Sequence, residues 1–132
     1  MEQFMLQTPA EGFIDITRKV AEIVRRSQVR QGICQVFVPH TTAGVTINEN
    51  ADPDVVDDLM AALNTMVPAL RYRHGEGNSP AHLKSLLTGS SLLVPVEDGA
   101  MQLGTWQGIY FCEYDGPRQR RVQVQIIGES KE

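Results

Sequence analysis

The stretch Trp106-Gln107-Gly108-Ile109-Tyr110-Phe111-Cys112-Glu113-Tyr114-Asp115-Gly116-Pro117-Arg118-Gln119-Arg120-Arg121-Val122-Gln123-Val124-Gln125-Ile126-Ile127 decides the fold. Its first half, to Tyr114, is a β-rich run, and Asp115-Gly116-Pro117 is a turn. In its second half Val122, Val124 and Ile126 alternate with Arg121, Gln123 and Gln125, the period of a strand with one buried and one wet face. Two strands joined by a tight turn predict an antiparallel pair. Working outward, Ser91 to Val96 reads as another strand, with a turn near Asp98-Gly99. Ser79-Pro80 starts a short helix carrying His82, Leu83, Leu86 and Leu87 that stops at Gly89. Asp52 caps a longer helix with Pro53 at its first position, where a missing N–H costs nothing. Val55, Leu59, Leu63 and Met66 mark one face of that helix. Further back, Ile33 to Val38 and Val45 with Ile47 read as strands. Ile16, Val20, Ile23 and Val24 have helical spacing behind Asp15 as N-cap, and Glu2 to Thr8 opens the chain as a strand. The expectation is an α+β fold, a mixed and largely antiparallel sheet with two to three helices, in a single domain over residues 1–132.

Composition sets limits on function. The chain has 132 residues, with 12 Lys+Arg against 16 Asp+Glu, a formal net charge of −4. A pI near 5.3 lacks the cationic excess that a phosphate backbone demands, so nucleic acid is not the expected partner. No apolar run reaches membrane-spanning length, so no membrane association is expected either. Met1-Glu2-Gln3-Phe4 shows no basic region followed by an apolar run, and the expected location is cytoplasmic. Cys34 and Cys112 lack CxxC spacing and read as small buried apolar side chains on strands.

The chemistry-bearing residues fall at breaks between these elements. His40 follows a strand and Pro39, His74 opens the loop His74-Gly75-Glu76-Gly77-Asn78, and His82 lies in the first turn of the Ser79 helix. Element ends are where a scaffold can hold reactive groups, because interior positions are taken by packing. His74-x7-His82 matches no standard zinc spacing, but Gly75 and Gly77 permit turns that bring the two rings together. His40-Thr41-Thr42-Ala43-Gly44 offers an imidazole and two hydroxyls, either a cradle for phosphate or a corner whose threonines satisfy the turn. Glu49 ends the strand that follows this corner and is expected to reach the same space. Glu113 and Arg118 flank a turn, either as a cross-strand ion pair or with Glu113 positioning Arg118 as a bidentate phosphate ligand. Trp106 is either a stacking wall or, on composition, core.

Taken together these segments resemble the YjbQ family of small proteins, also described as secondary thiamine-phosphate synthases. The matching pieces are His40-Thr41-Thr42-Ala43-Gly44 with Asn48-Glu49-Asn50-Ala51-Asp52-Pro53-Asp54, His74-Gly75-Glu76-Gly77-Asn78-Ser79-Pro80-Ala81-His82-Leu83-Lys84-Ser85, Gly104-Thr105-Trp106-Gln107, and Glu113-Tyr114-Asp115-Gly116-Pro117-Arg118. The resemblance implies a homotrimer of α+β subunits with polar clefts at subunit boundaries. It also implies a weak transferase activity joining a pyrimidine diphosphate to a thiazole phosphate. Carried onto this chain, it places His40, Glu49, His74, Asn78, His82, Trp106, Gln107, Glu113 and Arg118 around the site.

The resulting expectations are specific. Glu49, His40, Gln107 and Glu113 are the catalytic candidates. Thr41, Thr42, Asn78, Ser79, Trp106 and Arg118 are expected to bind a small phosphorylated metabolite. His40, His74 and His82 are expected to hold a divalent metal, zinc by the imidazoles or magnesium by the diphosphate chemistry. Two alternatives stand beside the synthase: a metal-dependent hydrolase with Glu49 as general base, and a protein that binds a metabolite or metal without turnover.

Overall fold

The computed structural model describes residues 1–130. Eight strands and three helices follow one another as β1 (Glu2–Gln7), β2 (Gly12–Asp15), α1 (Thr17–Ser27), β3 (Val29–Phe37), β4 (Ala43–Glu49), α2 (Pro53–Met66), α3 (Ser79–Thr88), β5 (Ser91–Glu97), β6 (Ala100–Met101), β7 (Gln107–Glu113) and β8 (Gln119–Ser130). The fold is α+β and its strand pairings are antiparallel. The strands form two sheets, β1-β8-β3-β5-β6 and β2-β7-β4.

The expected pairing of β7 with β8 does not occur: each joins a different sheet. The physical reason lies in β7, where nearly every residue is buried. Ile109 and Phe111 belong to the main core, while Tyr110, Cys112 and Tyr114 belong to a second cluster with Ala81, Phe13, Val56, Met60 and Leu63. A strand apolar on both faces needs cover on both faces. β8 has one apolar face, Val122 and Val124, which it turns to the main core. The three-stranded sheet is therefore a middle layer. On one side its residues pack with α1 and the inner face of the five-stranded sheet, and on the other they pack with α2 and α3.

Local signals account for most element boundaries. Asp52 accepts the Asp54 N–H at 2.9 Å with Pro53 in the first turn of α2, and α3 ends at Gly89. Asp15 lies one residue before the α1 cap, Ile16, yet its carboxylate still accepts the Thr17 N–H at 2.9 Å. On α2 the packed residues are Val56, Met60 and Leu63, while Met66 is exposed, so the apolar face is rotated from the expected one. Leu86 and Leu87 of α3 are exposed as well. Among the described residues no helix covers the outer face of the five-stranded sheet. There Ile33 lies between Pro95 and Ile127, Gln35 between Leu93 and Gln125, and Phe37 between Ser91 and Gln123.

Candidate functional site

The site begins where β3 ends. In the β3–β8 register Phe37 faces Gln123, and Pro39 would face Arg121. The ladder ends before that position, and the Arg121 N–H is satisfied instead by the ring of His40, which accepts it at Nε2 at 2.9 Å. Thr42 then turns inward and is buried, and β4 begins at Ala43. Helix α3 lies directly against this start. Ser85 donates to the Ala43 carbonyl at 2.7 Å, Val45 N–H to the Gly89 carbonyl at 3.1 Å, and a Cβ on Gly44 would collide with Thr88. This contact brings the first turn of α3, with His82, up to the His40 corner.

The loop before α3 is tied to the β7–β8 turn by Asp115. Its Oδ2 accepts from Asn78 Nδ2 at 2.8 Å and from Arg118 Nη2 at 3.1 Å, and its backbone carbonyl accepts from Arg118 Nε at 2.8 Å. The guanidinium is thereby aimed, with Nη1 left free of partners among the described residues. Within the loop, Gly77 takes φ +74 to close a turn onto the His74 carbonyl. The His74 and His82 rings meet edge to face, 5.5 Å between centroids, and His74 Nε2 lies 3.3 Å from Glu76 Oε1. Pro39, His40, Thr41, Thr42, Glu76, Asn78, His82, Asp115, Arg118 and Arg120 line an open polar cleft of about 330 Å³. This is the low end of the range for small-molecule sites. A larger hollow at the start of α1 has a carboxylate, Asp15, already engaged by Thr17 and Asn50.

Several expected roles change on inspection of contacts. Glu113 does not position Arg118. It is fully buried, and its two oxygens take up Arg120 Nε at 2.8 Å, Arg120 Nη2 at 2.5 Å, Thr8 Oγ1 at 2.6 Å and the Asp115 N–H at 2.9 Å. Burial alone would raise its pKa, but these partners outweigh burial and hold the carboxyl below its ordinary value. With its lone pairs spent and its side chain outside the cleft lining, it is a buried support for Arg120 rather than a catalyst. Arg120, which also donates to Thr42 Oγ1 at 2.9 Å, was not anticipated. A signal for it exists: Arg120 shares the parity of Val122 and Val124, so an arginine falls on the buried face of its strand.

Glu49, Gln107 and Trp106 lie elsewhere. In the β4–β7 register Ala43 faces Glu113, whereas Glu49 faces Gln107. Six residues at about 3.3 Å each put Glu49 roughly 20 Å from the His40 corner. Gln107 Oε1 accepts the Gly104 N–H at 2.7 Å, and Trp106 is 64% exposed rather than core. Within one protomer these residues form a second pole and do not meet the histidines.

The metal set also falls short. A neutral imidazole has one lone-pair nitrogen, and that of His40 is engaged by the Arg121 N–H. Burial first, then the charges of Arg120 and Arg121, lower the pKa of His40, against a smaller opposing effect of Glu113. His74 and His82 are near enough to share an ion, but among the described residues no three His, Cys, Asp or Glu side chains group closely enough to hold one. The donors present do not complete a divalent-metal site within one chain. Ser79 contributes the start of α3 and lies outside the cleft lining. Cys34 and Cys112 are free and buried, and burial pushes the thiols up to about 11 and about 12.

Comparison with known proteins reaches one answer. Residues 2–129 match the family model described as UPF0047 protein YjbQ-like. The chain is 47% identical to the UPF0047 protein YugU of Bacillus subtilis over 123 residues, 92% of this chain and 93% of the relative. A UPF0047 protein of Methanocaldococcus jannaschii is 49% identical over 90% of this chain and 87% of its own length. Among solved structures, an uncharacterised YjbQ/UPF0047 family protein of Clostridium acetobutylicum superposes with TM-score 0.93 at 52% identity, covering 96% of this chain and all (100%) of that one. A YjbQ-like protein of unknown function from Sulfolobus solfataricus superposes with TM-score 0.91 at 32% identity, covering 97% of this chain and 96% of that one.

Proposed function

This chain belongs to the YjbQ-like UPF0047 family, and on that premise we propose that it is a transferase for small phosphorylated metabolites, resembling secondary thiamine-phosphate synthases. The observation that carries the reading is the donor-rich cleft in which His40, Thr41, His82 and Arg118 surround a space of about 330 Å³. Such a lining suits a phosphoryl group that gains negative charge as it leaves. In the proposed reaction the C–O bond between the pyrimidine methylene and its diphosphate breaks. Pyrophosphate departs with the electron pair, and the thiazole nitrogen lone pair forms the new C–N bond. Arg118, aimed by Asp115, neutralises the departing group, and His82 can supply it a proton.

Attack by a thiazole nitrogen needs no deprotonation, so neither carboxylate is required as a base. Glu49 is a strand length away in the same protomer, and Glu113 is spent on Arg120. Asn78 adds a specificity element. Its amide N is held by Asp115, and its Oδ1 is buried without a partner among the described residues. A ligand N–H or O–H, such as a heterocycle carries, would relieve that cost of about 1–3 kcal/mol.

The helix-free outer sheet face supports self-association of this chain as a homotrimer, since Ile33, Leu93 and Ile127 are there 46%, 60% and 64% exposed. Incubation with pyrimidine diphosphate and thiazole phosphate, with pyrophosphate release as readout, tests the activity. Product formation lost in Arg118→Gln supports it, and no product with correctly folded wild type refutes it. Sedimentation at monomer mass would remove the trimer.

A further inference from the structure

We propose that His40 is fixed as the Nδ1–H tautomer and serves the cleft as a neutral hydrogen-bond donor to a phosphoryl oxygen, so that diphosphate binding here needs no divalent ion. This rests on the phosphoryl-binding reading above and adds to it a role for His40 opposite in kind to that of a metal ligand.

The argument starts from the backbone. An amide N–H only donates, so the ring atom 2.9 Å from Arg121 N must be an acceptor, and Nε2 carries a lone pair. The proton of the neutral ring therefore resides on Nδ1. The constraint is built into the fold: the β3 ladder ends before it reaches Arg121, and replacing the ring contact would orphan a strand amide. Nδ1 itself has no partner among the described residues. Asn78 Oδ1 is the only buried side-chain polar atom left without one there, so Nδ1 is open to solvent rather than enclosed. Because His40 lines both the 330 Å³ cleft and the adjoining hollow over α3, that open N–H is available to a bound ligand.

The surrounding charges act in the same direction. Arg120 and Arg121 face the ring from β8 and Glu113 faces it from β7, and the balance with burial disfavours the imidazolium. Arg120 is bidentate with Glu113, whereas Arg118 is paired with Asp115 through Nη2 and Nε and keeps Nη1 free among the described residues on the cleft lining. Arg118 Nη1, the Thr41 hydroxyl and His40 Nδ1–H are then donors of the kind that an anion's oxygens accept. Each offers an N–H or O–H to an anion's oxygens, as phosphate recognition by protein groups alone requires.

Inorganic pyrophosphate and the full-length protein provide the test. Titration calorimetry at pH 7 is run with EDTA, and then with Zn²⁺ or Mg²⁺. Long-range ¹H–¹⁵N correlation spectra of the three imidazoles are recorded alongside, assigned with His74→Gln and His82→Gln. The expected result is pyrophosphate binding unchanged within about twofold by EDTA and weakened about tenfold in Arg118→Gln, the loss of one charge-assisted contact. His40 should show a protonated Nδ1 that shifts on titration and an unprotonated Nε2 that does not. An Nε2–H tautomer, binding that needs added metal, or no binding in either condition overturns the proposal. Metal-free pyrophosphate binding without thiazole coupling would leave this inference standing and remove the transferase reading. Coupling seen only with metal would do the reverse.

Discussion

Replacing Glu113 by Gln should be among the most damaging single changes available in this protein. The carboxylate accepts four hydrogen bonds, two of them from Arg120, and neither partner has solvent to turn to: their side chains are 0% and 4% exposed. Glutamine is nearly isosteric, so packing is preserved, but one oxygen becomes an NH₂. If that NH₂ replaces Oε2, it confronts Arg120 Nη2 and the Asp115 N–H, donors against a donor. If it replaces Oε1, it confronts Arg120 Nε and can no longer accept from Thr8. Either way a buried guanidinium loses its counter-charge. Breaking a buried pair from one side costs about 3–5 kcal/mol. Urea denaturation at fixed protein concentration should show that loss as a lower midpoint at unchanged slope. Double replacement by Glu113→Leu with Arg120→Met should be milder than the single change, because it leaves no unpaired charge. Acid provides a second check. The folded carboxyl titrates below its ordinary 4.5, so its stabilisation is present above that pH and is lost as pH falls through the folded value. The gap between wild type and Glu113→Gln should therefore close below about pH 4.5. A variant within about 1 kcal/mol of wild type at pH 7 would refute this account of the buried Glu113–Arg120 pair.

Other expectations are simpler. Iodoacetamide at pH 8 should label neither thiol of the native protein and both after unfolding, since Cys34 and Cys112 are buried with pKa values raised to about 11 and about 12. Gly32→Ala should destabilise by about 1–3 kcal/mol or more, because its Cβ would overlap the Ile127 carbonyl across the β3–β8 pair; a thermal melt matching wild type would contradict the close approach. Asp52→Ala should cost about 1 kcal/mol by freeing the Asp54 N–H at the start of α2, measured in the same urea assay.

Much of this protein could be read locally. The Asp52-Pro53 start of α2, the Ser79-Pro80 start of α3 and its stop at Gly89 depend on which dihedrals and donors a few neighbouring residues allow. So does the alternation of β8. The separation of Glu49 from His40 was in principle legible as well, because six extended residues cannot keep two side chains in one pocket. The likeness to the YjbQ family followed from short polar motifs whose order along the chain needs no coordinates.

What tertiary structure alone decided was the choice among partners. Arg118, Arg120 and Arg121 are near neighbours with the same charge. The parity of Val122 marks Arg120 as inward, but that Glu113 is the group it meets, while Arg118 stays outside with Asp115, follows only from the packing of β7 beside β8's inner face. Likewise, that β7 and β8 separate into two sheets follows from β7 being covered on both faces, by clusters drawn from the whole chain. His40 is the sharpest case. Its ring nitrogen is assigned by a backbone amide 81 residues away that lies just beyond the end of the β3 ladder, a demand that exists only once β3 and β8 are side by side.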